Sequence, residues 1–178
     1  MLHRISAAWA RVELAAAAAF GVAVTLLILL NVVTRSLGAA IYWVDELAIY
    51  SMVWMAFLGA SASLHRRDAV AITMLRDAVP ARLARALSRA VDAFVAVFAV
   101  AMLYFCWIWF LPLDLLRAGF DLQTFQGETF NFVYAEPTTT LGIPKWQVWS
   151  VMWLFSAGAL LHAMANLAAP LPARPARA

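Results

Sequence analysis

Four apolar runs, each about long enough to cross a bilayer, constrain this chain more than any other feature. They extend from Leu14 to Val33, Trp43 to Leu64, Ala93 to Leu113 and Trp146 to Leu167. At 1.5 Å rise per residue, a helix of about 20 residues crosses about 30 Å of hydrocarbon. The runs lack apolar–polar alternation and are about twice as long as a barrel strand, which argues against strands. Backbone polar groups in lipid must pair within their own segment, so each run is predicted to be a helix. Composition agrees: 65% of the 178 residues are hydrophobic and 13% are charged, against about 45–50% and about 25% in an ordinary soluble domain. The lone Cys106 excludes a disulfide scaffold and reads as a small core hydrophobe.

The first run is longer than the apolar core of a cleaved signal peptide, which has about 7–15 residues. No clear small-x-small cleavage site follows Leu30 before Arg35, so the run is read as a retained helix. Orientation follows from the basic residues. Arg4, Arg11, Arg66, Arg67, Arg76, Arg82, Arg85, Arg89, Arg174 and Arg177 fall on one side; Arg35, Arg117 and Lys145 fall on the other. The excess places both termini in the cytoplasm. Trp43, Trp107, Trp109, Trp146 and Trp149 then mark the outer boundary, and Trp9 the inner one.

The resulting expectation is one all-α membrane domain over residues 1–178. Its helices span about 11–36, 43–65, 80–117 and 144–168, joined outside by a loop of about 118–143. Within the cytoplasmic link, Val70, Met74, Leu75, Val79, Leu83 and Leu87 follow helical spacing, and Pro80 marks a bend. A short interfacial helix at about 68–79 is expected before it. Arg82, Arg85 and Arg89 share one helix face and are read as reaching lipid phosphates or a partner. The outer loop carries Phe120, Phe125, Phe130, Phe132 and Tyr134. These rings pack either on another surface or back on the chain's own helices.

Ionisable residues inside a membrane usually mark function, and this chain has few. Glu13 and Asp92 lie near the cytoplasmic boundary, where water is expected to reach them. Asp114 and Arg117, three apart, are expected to pair. His65 and His162 fall at the same depth, which leaves a bis-histidine haem site open as an alternative. A self-contained small transporter is a further alternative, weakened by the shortage of deep charges. No metal-ligand cluster or catalytic constellation is visible, so no cofactor and no enzyme chemistry are expected. No basic–aromatic patch suggests nucleic acid.

Two features bear on packing. Ala56, Gly59, Ala60 and Ser63 form a small-residue stripe that lets helix backbones approach closely. Asn31 and Arg35, four apart, precede a Gly38-Ala39-Ala40 turn and then Trp43, Asp45 and Glu46. Arg35 can pair with either acid and fix the first hairpin.

These residues resemble a known family. Asn31-Val-Val-Thr-Arg35, Trp43-Val-Asp-Glu46-Leu, Trp54-Met-Ala-Phe-Leu-Gly59-Ala60 and Leu141-Gly-Ile-Pro144 before Trp146 are similar to the small membrane subunit of tripartite ATP-independent periplasmic (TRAP) transporters, the DctQ-like family. The resemblance covers about Leu14 to Leu167. Where that family commonly carries a glycine-histidine pair and then an aspartate, this chain has Asp68, Ala69 and Thr73. Its outer loop is also longer and more aromatic.

The resemblance implies a scaffold subunit in a bacterial inner membrane. Its partners would be a large membrane subunit, which holds the substrate and sodium sites, and a periplasmic binding protein that delivers an organic acid. Transport would be sodium-driven and of elevator type. Asn31, Arg35, Trp43, Glu46, Trp54, Ala56, Gly59, Ala60, Ser63 and Pro144 are then expected to set hairpin geometry or subunit packing. Phe125, Glu128 and Phe130 are expected to lie beside the binding protein.

Overall fold

A computed structural model describes residues 1–66 and 79–169. The described elements are all helical, apart from one isolated bridge between Pro137 and Pro144. Helix α1 spans Leu2–Ser36 and α2 spans Trp43–Arg66. Helix α3 runs Ala81–Phe110, followed by short α4, Pro112–Arg117, and α5, Leu122–Thr129. Helix α6, Lys145–Trp149, leads directly into α7, Val151–Ala168. Among the described residues, four segments are long and apolar enough to cross a membrane: Leu2–Ser36, Trp43–Arg66, Ala81–Arg117 and Lys145–Ala168.

Helix α1 begins nine residues before the expected start. Its 35 residues reach about 50 Å at 1.5 Å each, longer than a bilayer core. The 80–117 segment is not continuous. Helix α3 stops before Pro112, because the residue preceding a proline is disfavoured in the right-handed helical region; Leu111 there adopts the left-handed conformation at φ 43°. Pro112 then opens α4, where its missing N–H is harmless. The expected interfacial helix at 68–79 falls almost wholly outside the described residues.

Helix α7 is the hub. It packs against α1, α2 and α3, and α1 and α2 also pack along each other. Buried Ala17, Leu58 and Val151 form the apolar centre, with Phe20, Trp54, Met55 and Phe57 around them. Small residues on α7, Ala159, Ala163 and Ala165, are at most 1% exposed and let its neighbours approach. The outward faces of α1 and α3 stay uncovered: Val22, Leu26, Phe94 and Val97 are each at least 60% exposed. Such faces suit lipid or another membrane helix rather than water. Cys106 is buried.

The bundle has two distinct ends. One gathers the start of α1, the end of α2 and the end of α7, and is termed the terminal end. The other holds the α1–α2 turn and the 111–144 connection, and is termed the hairpin end.

Candidate functional site

At the hairpin end, the residues expected to organise the first turn do meet. Arg35 Nη2 lies 2.6 Å from Asp45 Oδ2. Asn31 Nδ2 donates to the other Asp45 oxygen, and Arg35 Nε donates to Asn31 Oδ1 at 2.9 Å. Arg35 thus selects Asp45 and leaves Glu46 for a different task. Glu46 accepts from the backbone N–H groups of Thr139 at 2.8 Å, Thr140 at 2.6 Å and Leu141 at 2.9 Å. The Thr140 hydroxyl donates to it at 2.6 Å, and Tyr50 OH at 3.0 Å. One carboxylate on α2 therefore anchors the tip of the loop that enters α6.

That loop is tightly made. Thr138 N donates to Ile143 O at 2.8 Å and Lys145 N to Glu136 O at 2.9 Å. Gly142 supplies the φ of 68° that the turn requires, and Pro144 caps α6. Trp54 Nε1 donates to Val148 O at 2.9 Å and its ring lies 5.5 Å from Phe20. Trp54 therefore ties α2 to α6 and α1 together. Trp43 remains 42% exposed.

The aromatic outer segment folds partly back on the helices. Tyr134 packs against Phe110, Phe125 and Trp146, with ring centroids 6.1, 5.5 and 6.0 Å away. Burial pushes the Tyr134 phenol above its usual pKa. Asp121 caps α5 by accepting from Thr124 N at 3.0 Å; its bonds from the Thr124 hydroxyl and N–H hold its carboxyl below the usual range. Phe125, expected at a docking surface, is corrected to a core residue at 1% exposure. Phe130 is 83% exposed, and Glu128 is exposed.

The basic face divides in the same way. Arg82 and Arg85 are exposed. Arg89 instead donates to the carbonyls of Asn166 at 3.0 Å, Leu167 at 2.5 Å and Ala169 at 2.8 Å. It caps the C-terminus of α7, where orphan carbonyls attract a cation. Of the small stripe, Ala56, Ala60 and Ser63 are exposed, and a Cβ on Gly59 would meet nothing within 4 Å. Gly59 and Ser63 also line a groove of about 450 Å³ between α1 and α2, with Ala7, Ala10, Leu14 and His65.

The terminal end holds a polar network that sequence reasoning missed. Glu13 is not solvated but 1% exposed. Its Oε2 lies 2.8 Å from His162 Nε2, and its Oε1 accepts from Ser61 Oγ at 2.6 Å. Ser6 Oγ lies 2.8 Å from His162 Nδ1 and 2.8 Å from His65 Nδ1. Gly158 provides the space: a Cβ there would sit 2.3 Å from Glu13 Oε1, 2.6 Å from Ser61 Oγ and 2.8 Å from Trp9 Nε1. The histidines do share one depth, with ring centroids 5.6 Å apart. They do not fit a haem. The Ser6 hydroxyl occupies the space between their Nδ1 atoms, and both His162 nitrogens are engaged. Among the described residues, no three His, Cys, Asp or Glu side chains converge to hold a metal.

Four membrane-length helices, polar ties at both ends and uncovered apolar flanks define a multi-pass membrane protein. The comparisons with known proteins are more specific. Residues 24–172 match the family described as "Tripartite ATP-independent periplasmic transporters, DctQ component", and the chain belongs to that family. It is also 29% identical over 100 residues to the C4-dicarboxylate TRAP transporter small permease protein DctQ of Vibrio cholerae serotype O1 (strain ATCC 39315 / El Tor Inaba N16961). That match covers 56% of this chain and 43% of the Vibrio protein. No solved structure matches.

Proposed function

We propose that this chain is the small scaffold subunit of a sodium-driven TRAP transporter that imports an organic acid carrying carboxylates. The family match over residues 24–172 carries this reading. The Vibrio relative's name, which specifies C4-dicarboxylates, supports the substrate class. In this reading a large membrane subunit performs the elevator movement and holds the substrate and sodium. A periplasmic binding protein delivers the substrate. The small subunit enlarges the stationary body in a bacterial inner membrane, with the terminal end in the cytoplasm and the hairpin end in the periplasm. The arginine asymmetry supports that orientation.

The physical basis is a division of surfaces. Buried polar ties hold α1, α2 and α7 as one unit. The uncovered small residues around Gly59 suit close approach by a partner helix. Exposed Phe130 and Glu128 remain for the binding protein, Phe125 being committed to the core. Reconstitution tests the whole reading. Vesicles holding this chain, its large subunit and the binding protein take up a C4-dicarboxylate with sodium; vesicles holding this chain alone do not. Uptake by the chain alone overturns it. Gly59→Leu tests the proposed face. A Cβ there meets nothing within 4 Å in the chain itself, so the expected outcome is normal folding with loss of co-purification with the large subunit. Undiminished co-purification removes Gly59 from the interface.

A further inference from the structure

We propose that Ser6, Glu13, His65 and His162 form a binding site for one proton inside the bundle, loaded from the terminal end through His65 and Ser6. A serine hydroxyl has one proton to give and lone pairs to receive. Ser6 Oγ meets two imidazole nitrogens at 2.8 Å each, so it donates to one and accepts from the other. With His65 neutral, two arrangements satisfy every contact.

In the first, His65 Nδ1–H donates to Ser6, whose hydroxyl donates to His162 Nδ1. His162 then carries its proton on Nε2 and donates it to an ionised Glu13. In the second, the Ser6 chain is reversed. His162 Nδ1–H donates to Ser6, the Ser6 hydroxyl donates to His65 Nδ1, and His65 carries its own proton on Nε2. One proton still lies between His162 Nε2 and Glu13 Oε2. Ser61 donates to Glu13 Oε1 at 2.6 Å in both.

The second arrangement holds one more proton than the first. Conversion needs no heavy-atom movement. A proton binds His65 Nε2, the Nδ1–H proton passes to Ser6 Oγ, and the former Ser6 proton passes to His162 Nδ1. Each bond broken along the chain is replaced by one formed. The added charge cancels that of Glu13, so the loaded network is neutral, the condition a low-dielectric interior favours.

The surroundings give this relay an entrance and a closed end. His65 is half-buried and lines the groove between α1 and α2 beside Arg11 and Arg66. The His3 ring lies 5.2 Å from it. Seven residues of helix separate Ser6 from Glu13, about 10 Å of depth. Below Glu13 begins the apolar cluster of Ala17, Leu58 and Val151. The side chains of that cluster offer the proton no polar group. On the far side of α7, α3 contributes Arg89, held by the α7 carbonyls, and buried Asp92.

Histidine nitrogen resonances of the labelled full chain in lipid nanodiscs, followed across pH, test the site. The expected result is one coupled step: His162 gains a proton while His65 moves its proton from Nδ1 to Nε2, with a shared midpoint. Ser6→Ala is expected to uncouple the two. A His65 tautomer that stays fixed while His162 titrates overturns the relay. An absence of any His162 titration while the chain stays folded overturns the binding site. The wild-type titration decides both points even where Ser6→Ala fails to fold.

Discussion

The terminal and hairpin ends fasten α1 and α2 with similar chemistry in opposite surroundings. At the terminal end, the His162 and Glu13 side chains are 0% and 1% exposed. At the hairpin end, Arg35 and Asp45 are 57% and 44% exposed. Water competes for the second pair and salt screens it; neither reaches the first. The buried pair therefore specifies which helices meet, because a helix arrangement that separates its members strands a polar group in an apolar interior. The exposed pair shapes a turn that its short connection already closes. Glu46 is a third case: its partners are mainly the backbone amides of a loop, so it orders the loop rather than the bundle.

The largest effect is expected from breaking the buried network. His162→Leu leaves Glu13 without its main partner and should destabilise the chain by about 3–5 kcal/mol, read from unfolding in detergent. The double variant Glu13→Leu/His162→Leu should lose much less than the sum of the two single changes, because both act on one contact. Additive losses would mean that the contact does not hold the bundle. Gly158→Ala comes next. Its Cβ, 2.3 Å from Glu13 Oε1 and 2.6 Å from Ser61 Oγ, forces the network apart, with an expected loss of about 1–3 kcal/mol. Near-neutral unfolding of Gly158→Ala would show that the two side chains re-seat without penalty.

The same contrast explains what the sequence reveals. Four helices are legible because apolar runs of bilayer length permit little else. The hairpin-end tie is legible because Asn31, Arg35 and Asp45 are close along the chain and its turn must bring them together. The terminal-end network is not. Glu13 and His162 are 149 positions apart, and each looks solitary beside a boundary where water is available. The signal was a set of polar residues within about two helical turns of one end of the bundle: Ser6 and Glu13 on α1, Ser61 and His65 on α2, His162 on α7. Pairing them requires knowing that α7 lies against both α1 and α2. Arg89 differs from Arg82 and Arg85 only through where α7 ends. Phe125 and Phe130 look alike in sequence; the left-handed backbone at Phe130, φ 53°, follows the α5 turn that buries Phe125. Pro112 did carry the signal for the Leu111 break, through its effect on the preceding residue.

A smaller and more local effect is expected from Glu46→Ala. It removes the acceptor for three successive loop amides, all near water, which replaces the lost bonds. Hydrogen exchange at Thr139, Thr140 and Leu141 should accelerate clearly, while exchange in α1, α2 and α7 stays unchanged. Glu46→Gln should fall between, since one carbonyl oxygen remains to accept. Acceleration spreading through α2 would mean that the loop anchor and the bundle form one cooperative unit, and the separation of the two ends would fail.

The smallest change is expected from Asp45→Asn, which removes the charge from the exposed pair and keeps an oxygen for Asn31. An exposed pair contributes about 0–1 kcal/mol, and Arg35 retains its bond to Asn31 Oδ1. The difference between wild type and Asp45→Asn should shrink further as salt rises, because screening removes what the charge contributes. His162→Leu should keep its full deficit in the same salt series, since its contact lies where ions do not reach. A salt-independent loss at Asp45 comparable to that at His162 would show that the hairpin end is shielded in the membrane, and that surroundings do not distinguish the two ties.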